Sequence, residues 1–189
     1  MSIVRGMDKL PVDSGTRERP GIVEAGPGHH EQIRRLLRET YGGYAADVDP
    51  RVFPVYLADV LDLTADGATV LIALDAATGA VTGTARLHLR PSQVDLPLDA
   101  AYVRGVAVHP DQAGRGIARD LMTNCAQRAR DAGATGLYLH TAAFMTRAIG
   151  LYEGLGYRRT PAHDTDSTEH FGMTIQPPLH ALAYHLPLR

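Results

Sequence analysis

The stretch VAVHPDQAGRGIARDL, Val106–Leu121, decides the fold of this chain. Its apolar start is typical of a strand, and its second half has the spacing of a helix. Between the two lies a glycine-rich turn in which Gly114 and Gly116 flank Arg115. Glycine lets the main chain approach a ligand closely, and the first amides of a helix have no intrahelical acceptor. The junction therefore predicts a site where backbone amides bind an anion.

Arg115 and Arg119 lie in and just after this turn. A helix dipole favours acids in the first turn and disfavours cations. Two arginines fit this place if a polyanion sits between them and the backbone, so the ligand is expected to carry phosphates. A dinucleotide-binding turn would need glycine or alanine where Arg119 stands, and the chain lacks the Gly-Lys-Ser or Gly-Lys-Thr ending of a nucleoside-triphosphate loop.

Composition limits the possible functions. The chain has 189 residues, which suits one domain, and its formal net charge is -2, so it has no overall basic field for nucleic acid or an anionic membrane. A single cysteine excludes an internal disulfide. No apolar run is long enough to span a bilayer, and the first residues do not resemble a secretory signal. We expect a cytoplasmic protein with neither nucleic acid nor membrane as a partner.

The pattern of elements predicts an α/β fold around a mixed sheet. Residues 1–20 are polar, lack a sustained period and are expected to form a flexible N-terminal tail, and residues 21–189 form the domain. Strands alternate with helices, and an early hairpin makes a purely parallel sheet unsuitable. The predicted strands are 22–25, 69–74, 81–89, 101–108, 137–141 and 179–188, and the predicted helices are 29–40, 52–63, 117–132 and 145–155. The spacing of apolar residues predicts the buried face of two of these helices: Ile33, Leu36 and Leu37 in the first, and Ile117, Leu121, Met122, Cys125 and Ala129 in the third.

Two motifs in a fixed order carry a family resemblance. Val106-Ala107-Val108, Pro110 and Gly114-Arg115-Gly116-Ile117-Ala118 are followed further along by AIGLYEGLGY, residues 148–157. Over about residues 21–188 the chain resembles the GNAT superfamily of acyl-CoA-dependent N-acyltransferases. The resemblance implies a single domain with a predominantly antiparallel, twisted sheet, whose central parallel strands splay apart and are flanked by helices.

The resemblance also implies where a coenzyme binds. Backbone groups of Val106 and Val108 would pair with the pantetheine arm as with an added strand, and amides from Gly114 to Arg119 would hold the pyrophosphate. Ala113 stands where the family pattern has arginine or glutamine, and we expect binding to survive because the cradle is made of backbone. The expected coenzyme-binding residues are Val106, Ala107, Val108, Ala113, Gly114, Arg115, Gly116, Ile117, Ala118 and Arg119.

Tyr152 is the expected catalytic residue. Attack of an amine on a thioester creates an oxyanion and expels a thiolate, so the reaction needs a donor near each. The resemblance places Tyr152 beside the sulfur as general acid, and the amide of Val108 at the oxyanion. The alternative is that Tyr152 is a core tyrosine, because it shares a helical face with Ala148 and Ile149.

No general base is evident. Some relatives carry a glutamate on the central strand, and Tyr102 occupies that place here. His88, His109 and His140 lie on or just after predicted strands, and histidine is a common general base, but each alone is more readily explained as a structural residue. Met145 stands where many relatives have an asparagine near the coenzyme, and a thioether offers almost no hydrogen bond.

The acceptor site is expected at Tyr41 and Tyr44, in a loop between the first two helices. Residues 161–178, predicted as a loop rich in proline and aspartate, are expected to form a second wall. His140 is a further candidate. Arg104 either holds an acidic group of the acceptor or is a sheet-edge arginine that pairs with an aspartate or glutamate.

The resemblance implies direct transfer of an acetyl group from acetyl-CoA, as cosubstrate, to a primary amine of a small molecule or protein. Because of Ala113, Met145 and Tyr102, the alternative is a catalytically weak acyl-CoA-binding regulatory module. We expect no metal and a core position for Cys125, and a homodimer is possible on the resemblance.

Overall fold

The computed structural model describes residues 21–64, 67–91 and 95–188. The tail predicted for residues 1–20 lies outside the described residues. The strands are β1 (Gly21–Glu24), β2 (Thr69–Leu74), β3 (Val81–His88), β4 (Ala100–Val108), β5 (Gly136–Thr141), β6 (Arg158–Arg159), β7 (Thr165–Asp166) and β8 (His180–Pro187). The α-helices are α1 (His30–Gly42), α2 (Phe53–Leu61), α3 (Ile117–Asp131), α4 (Thr146–Gly154) and α5 (Ser167–His170).

The strands form one open mixed sheet of eight strands in the order β1-β2-β3-β4-β5-β8-β6, with β7 paired to β8. Every pairing is antiparallel except β4 with β5. The predicted α/β class and the predominantly antiparallel sheet are confirmed. None of the described helices is long and apolar enough to cross a membrane.

The two parallel strands separate soon after they meet. Only three residue pairs join β4 to β5, and the last is Tyr102 with Tyr138. Within the described parts of the chain, no strand pairs with this side of β4 from Val103 to Val108, while β5 stays paired with β8 through Thr141. The central strands therefore splay and leave an open strand edge in the middle of the sheet, as the resemblance implied.

A bulge in β4 changes the register against β3. The irregularity falls between Thr84 and Arg86 on β3, opposite Gly105, whose φ is +60°. A Cβ at Gly105 would lie 2.9 Å from Nε of Arg86. Glycine is required at this position because both the left-handed conformation and the close approach exclude a side chain.

Arg86 is a buried charge that joins α2 to the sheet. Its side chain is 1% exposed and donates hydrogen bonds to the carbonyls of Asp62 and, at 3.2 Å, Val60. These carbonyls lie at the C-terminal end of α2, where backbone acceptors lack helical partners and the helix dipole favours a cation. Arg86 thereby fixes α2 against β3.

Helices cover both faces of the sheet. The predicted apolar face of α3 is buried against β2 to β5, and α1 packs on the opposite face together with α2. In α3 the buried residues include Ile117, Leu121, Met122, Cys125 and Ala129, as predicted, and in α1 they include Ile33, Leu36 and Leu37.

Two predictions of loop structure are wrong. The helix α1 does not end before Tyr41 but includes Tyr41 and Gly42, so Tyr41 belongs to a helix and not to a loop. The segment 161–178 is not a plain loop, because it contains a 3-10 turn, β7 and α5. In both places packing against the sheet overrides a local pattern that is typical of loops.

Candidate active site

The gap between β4 and β5 opens into a cavity of about 550 Å³. Its walls come from β4, from α1 and α2, from the start and inner face of α4, and from residues of the segment 164–181. Five candidates from the sequence line this one cavity: Tyr41, Tyr44, Arg104, His140 and Tyr152. The fold thus brings together residues that are more than 100 positions apart in the chain.

Beyond Tyr102, no described strand pairs with the edge of β4 that faces the gap. The N–H of His109 donates to the carbonyl of Thr82 on β3 at 2.9 Å. Because neighbouring residues of a strand direct their backbone groups to opposite sides, the N–H of Val108 points away from β3 and into the gap. The Val106 carbonyl accepts a hydrogen bond from the Tyr41 hydroxyl at 3.3 Å and keeps a second lone pair. An extended chain of amides could pair here.

The glycine turn leaves a run of amides free. Gly114 and Gly116 have φ values of +78° and +81°, and a Cβ at either would meet nothing within 4 Å. The first helical hydrogen bond of α3 joins the Asp120 N–H to the Gly116 carbonyl at 3.0 Å. Among the described residues no acceptor contacts the N–H groups of residues 114–119. These donors converge at a helix N-terminus, which is suited to phosphate oxygens.

The side chains around this turn are partly engaged. Ala113 donates its own N–H to the Pro110 carbonyl at 3.1 Å, so its amide does not join the free run. Arg115 donates to the side-chain oxygen of Gln112. Arg119 extends toward α4, where a Cβ at Gly154 would lie 3.8 Å from its guanidinium. This guanidinium lies near the C-terminal end of α4, a favourable place for a cation.

Tyr152 is 6% exposed and lines the cavity from α4. Burial raises the pKa of its phenol above the ordinary value, and the nearby phenols of Tyr41 and Tyr157 add to the shift. The hydroxyl is therefore protonated at neutral pH and can donate a hydrogen bond. Within the described ranges it has no hydrogen-bond partner.

Aromatic rings form the wall on the side of α1 and α2. Tyr41 makes edge contacts with Tyr44 and Tyr56, with ring centroids 6.3 and 6.0 Å apart, and Tyr44 packs on Phe144 at 5.4 Å. Burial raises the pKa of Tyr41 to about 12. Sequence reasoning missed Tyr56, although it lies four residues before Val60 on the buried face of α2.

Arg104 lines the cavity but pairs with Asp59 of α2. Both side chains are largely covered, at 21% and 27% exposure. This geometry matches the second of the two readings from the sequence, in which the arginine pairs with a carboxylate of the protein.

His140 connects the two splayed strands to the segment after β6. Its Nε2 lies 2.8 Å from the carbonyl of His163, and its Nδ1 lies 3.2 Å from the Tyr102 hydroxyl. The pKa of His140 is lowered because burial disfavours the charged ring, although the hydrogen bond to His163 and the charge of Asp164 act in the opposite direction. No pattern in the sequence predicts this chain of contacts.

Three further residues singled out from the sequence are His109, Met145 and Cys125, and of these three only Met145 lines the cavity. Nε2 of His109 is 3.4 Å from Glu39, away from the cavity lining. The Met145 sulfur accepts a hydrogen bond from Thr141 at 3.6 Å. Cys125 is fully buried, which raises the pKa of its thiol to about 12, so its predicted core position is confirmed. In the part of the chain that the structure describes, no group of three or more His, Cys, Asp or Glu side chains is arranged to hold a metal ion.

The known protein families provide an independent comparison. Residues 30–157 match the Acetyltransferase (GNAT) family. No curated protein matches the chain in sequence at a significant level.

Solved structures share the fold. YncA of Salmonella typhimurium, solved with its cofactor acetyl-CoA, has a TM-score of 0.60 and 21% identity over 91% of this chain and 95% of its own. The PaiA N-acetyltransferase of Thermoplasma acidophilum, in complex with coenzyme A, has a TM-score of 0.64 and 12% identity over 88% and 98%. The ribosomal-protein-S18-alanine N-acetyltransferase of Escherichia coli has a TM-score of 0.59 and 18% identity over 89% and 93%. At these identities the likeness shows the fold alone.

Proposed function

The chain belongs to the GNAT family of acetyltransferases, and we propose that it transfers an acetyl group from acetyl-CoA directly to a primary amine of a small molecule or a protein. The observation that carries the proposal is the open edge of β4, which runs from the last β4–β5 pair at Tyr102 to the free amides at the start of α3. Both the strand edge and the cavity lie on the path that a long, extended thioester would follow.

The two ends of acetyl-CoA need different partners. The pantetheine arm carries amides and can pair by strand addition with the backbone of Val106 and with the carbonyl of Val108, which leaves the Val108 N–H for the thioester. The pyrophosphate needs several convergent donors, which the amides of residues 114–119 provide. The bound acetyl-CoA and coenzyme A of YncA and PaiA support this ligand, because those proteins share the fold.

The reacting thioester then lies in the cavity. The Val108 N–H points into the gap, where it can donate to the oxyanion that forms at the carbonyl carbon. The Tyr152 hydroxyl, which is protonated at neutral pH, can donate to the sulfur as it leaves. A chain that binds both substrates at once needs no acyl-enzyme, and the buried thiol of Cys125 takes no part.

A release assay tests this proposal. The purified protein is incubated with acetyl-CoA and a panel that includes a diamine, amino acids and a peptide with a free N-terminus, and the free thiol of coenzyme A is measured. Coenzyme A binding is measured in parallel by calorimetry. We expect thiol release that depends on one class of amine.

The same pair of measurements separates the alternatives. Tight coenzyme A binding without thiol release across the panel would favour the regulatory acyl-CoA-binding module. Failure to bind any coenzyme A derivative would contradict both functions.

A further inference from the structure

We infer that Tyr102 and His140 form a proton relay that deprotonates the acceptor amine, with Tyr102 in contact with the amine and His140 as the group that takes up the proton. This relay presupposes the proposed acetyl transfer. It supplies the general base that the central strand lacks, since tyrosine stands where some relatives have glutamate.

The hydrogen bonds define the protonation state of His140. The His163 carbonyl can only accept, so Nε2 of His140 carries the hydrogen and donates across 2.8 Å. In the neutral ring Nδ1 is then an acceptor, and the Tyr102 hydroxyl donates to it across 3.2 Å. A phenol oxygen that donates one hydrogen bond can also accept one, so the Tyr102 oxygen is able to take a proton from the amine. A proton that arrives at this oxygen can therefore move on to Nδ1.

The relay lies where the strands part. Tyr102 and Tyr138 form the last pair between β4 and β5, so Tyr102 stands at the closed end of the gap. Tyr102 and His140 line the same cavity as Tyr152 and Val106. The site that would take a proton from the amine and the site that would donate to the sulfur thus face one space.

The surroundings keep His140 neutral at pH 7. Burial is the largest cause of its lowered pKa. His163 and Arg104 also disfavour the imidazolium, whereas Asp164 and the His163 carbonyl favour it. His88 is a further titratable residue beside the relay: its ring makes a tilted contact with the Tyr102 ring, with centroids 5.9 Å apart. His140 is therefore neutral before the reaction and can accept a proton, as a general base must.

The carboxylates of the cavity are less suitable as bases. Asp59 pairs with Arg104, Asp164 pairs with Arg159 at 2.7 Å, and Asp166 accepts hydrogen bonds from the backbone and hydroxyl of Thr168. The two other carboxylates of the lining, Asp95 and Glu169, are exposed.

The proton balance is as follows. A basic amine enters as R–NH3⁺, and one proton passes to the Tyr102 oxygen as the Tyr102 hydroxyl proton moves to Nδ1 of His140, which becomes imidazolium. The free nitrogen pair forms the C–N bond at the thioester carbon, and the C–S bond breaks. The Tyr152 hydroxyl gives its proton to the sulfur of coenzyme A, and the second amine proton restores the Tyr152 hydroxyl. After product release His140 returns its proton to water through Tyr102.

The pH profile of kcat/KM tests the relay. With an alkyl primary amine of pKa near 10 as acceptor, the relay uses the ammonium form, so kcat/KM of the wild type stays nearly constant from about pH 7 to 9. His140→Gln keeps a donor and an acceptor but cannot ionise, and Tyr102→Phe interrupts the relay. Both variants then depend on the free amine, so kcat/KM falls about 10²-fold at pH 7 and rises about tenfold per pH unit.

Matched variants control for structural damage. Tyr138→Phe and His185→Gln change the stacked pair of rings on β5 and β8. Neither residue lines the cavity. His185 matches His140 because burial lowers the pKa of its ring as well. We expect both to keep the flat profile. Coenzyme A affinity, measured by calorimetry, should be unchanged in all four variants.

Each other outcome overturns the relay. A flat profile in His140→Gln or Tyr102→Phe, even with a lower rate at every pH, would mean that these residues are structural. A wild-type profile that already rises tenfold per pH unit would mean that the free amine reacts unaided. In both cases the wild type still turns over the amine, so the proposed acetyl transfer stands although the relay does not. A wild type that turns over no amine contradicts the acetyl transfer and the relay together.

Discussion

At the residue scale, burial determines what the tyrosines of the cavity can do. Tyr152 and Tyr157 are both nearly inaccessible, their rings lie 5.9 Å apart, and burial raises the pKa of both phenols. Only Tyr152 lines the cavity. A raised pKa keeps the proton on the phenol, so Tyr152 is suited to donate a hydrogen bond to a departing sulfur.

Tyr152→Phe is therefore expected to lower kcat by about 10²-fold or more while the KM for acetyl-CoA changes little, because only a donor to the leaving group is lost. Tyr157→Phe is the matched control: its hydroxyl is buried without a partner among the described residues. Steady-state kinetics measures both. Equal kcat values for Tyr152→Phe and the wild type would remove the proposed acid role and leave Tyr152 as a core residue.

At the element scale, the start of α3 is the part on which coenzyme binding depends. The amide of Ala118 belongs to the free run and makes no intrahelical hydrogen bond. Proline is tolerated in the first turn of a helix because the missing N–H was unsatisfied there.

Ala118→Pro removes one donor from this run. We expect the affinity for acetyl-CoA to fall roughly tenfold to a hundredfold, as a charge-assisted hydrogen bond is worth about 1.5–3 kcal/mol. Ala118→Ser, which keeps the N–H, should bind like the wild type. Calorimetry gives both values, and undiminished binding in a folded Ala118→Pro variant would argue against the backbone cradle.

Arg86 holds another element in place, since its guanidinium binds the carbonyls at the end of α2. Arg86→Met leaves these buried carbonyls without a donor, so the free energy of unfolding should fall by about 2–4 kcal/mol. Urea denaturation measures it. Arg35→Met is the control: Arg35 pairs with Glu39 on the exposed face of α1, so its loss should leave the free energy of unfolding nearly unchanged. Similar losses in the two variants would refute the role assigned to Arg86.

At the scale of the whole molecule, acetyl-CoA should bridge the sheet and two helices and so stabilise the fold. At a concentration about 100-fold above Kd, ligand binding adds about 2.7 kcal/mol. For a domain of this size we expect Tm to rise by roughly 5–10 °C in a thermal-shift measurement. Ala118→Pro should show a smaller rise at the same concentration. No shift in the wild type at millimolar acetyl-CoA would contradict binding at this site.

The sequence predicted those parts of the molecule that local patterns determine. The range 69–74 of β2 and the apolar face of α3 follow from periodicity, and both are confirmed. The end of α1 does not follow, because the hydrogen bond of Tyr41 to the Val106 carbonyl and burial of the ring outweigh two consecutive glycines. The predicted cytoplasmic location and homodimer stay predictions.

Contacts between residues that are far apart in the chain could not be predicted from the sequence, for a physical reason. Arg104 meets Asp59 from 45 positions away, and His140 meets Tyr102 and His163 from 38 and 23 positions away. No periodicity encodes such pairs, which arise only when the splayed strands and the segment after β6 are packed together. Several candidate residues therefore line one cavity, but the contacts that join them did not follow from the sequence, and their roles stay predictions.

The most direct test follows the acetyl group itself. The protein is incubated with acetyl-CoA that carries an isotopic label in the acetyl group, together with the amine that gives the fastest thiol release, and the acceptor is examined by mass spectrometry. The proposed function predicts the labelled acetyl group on the amine nitrogen, in an amount equal to the thiol released. Thiol release with the label recovered as free acetate, and none on the amine, would contradict it.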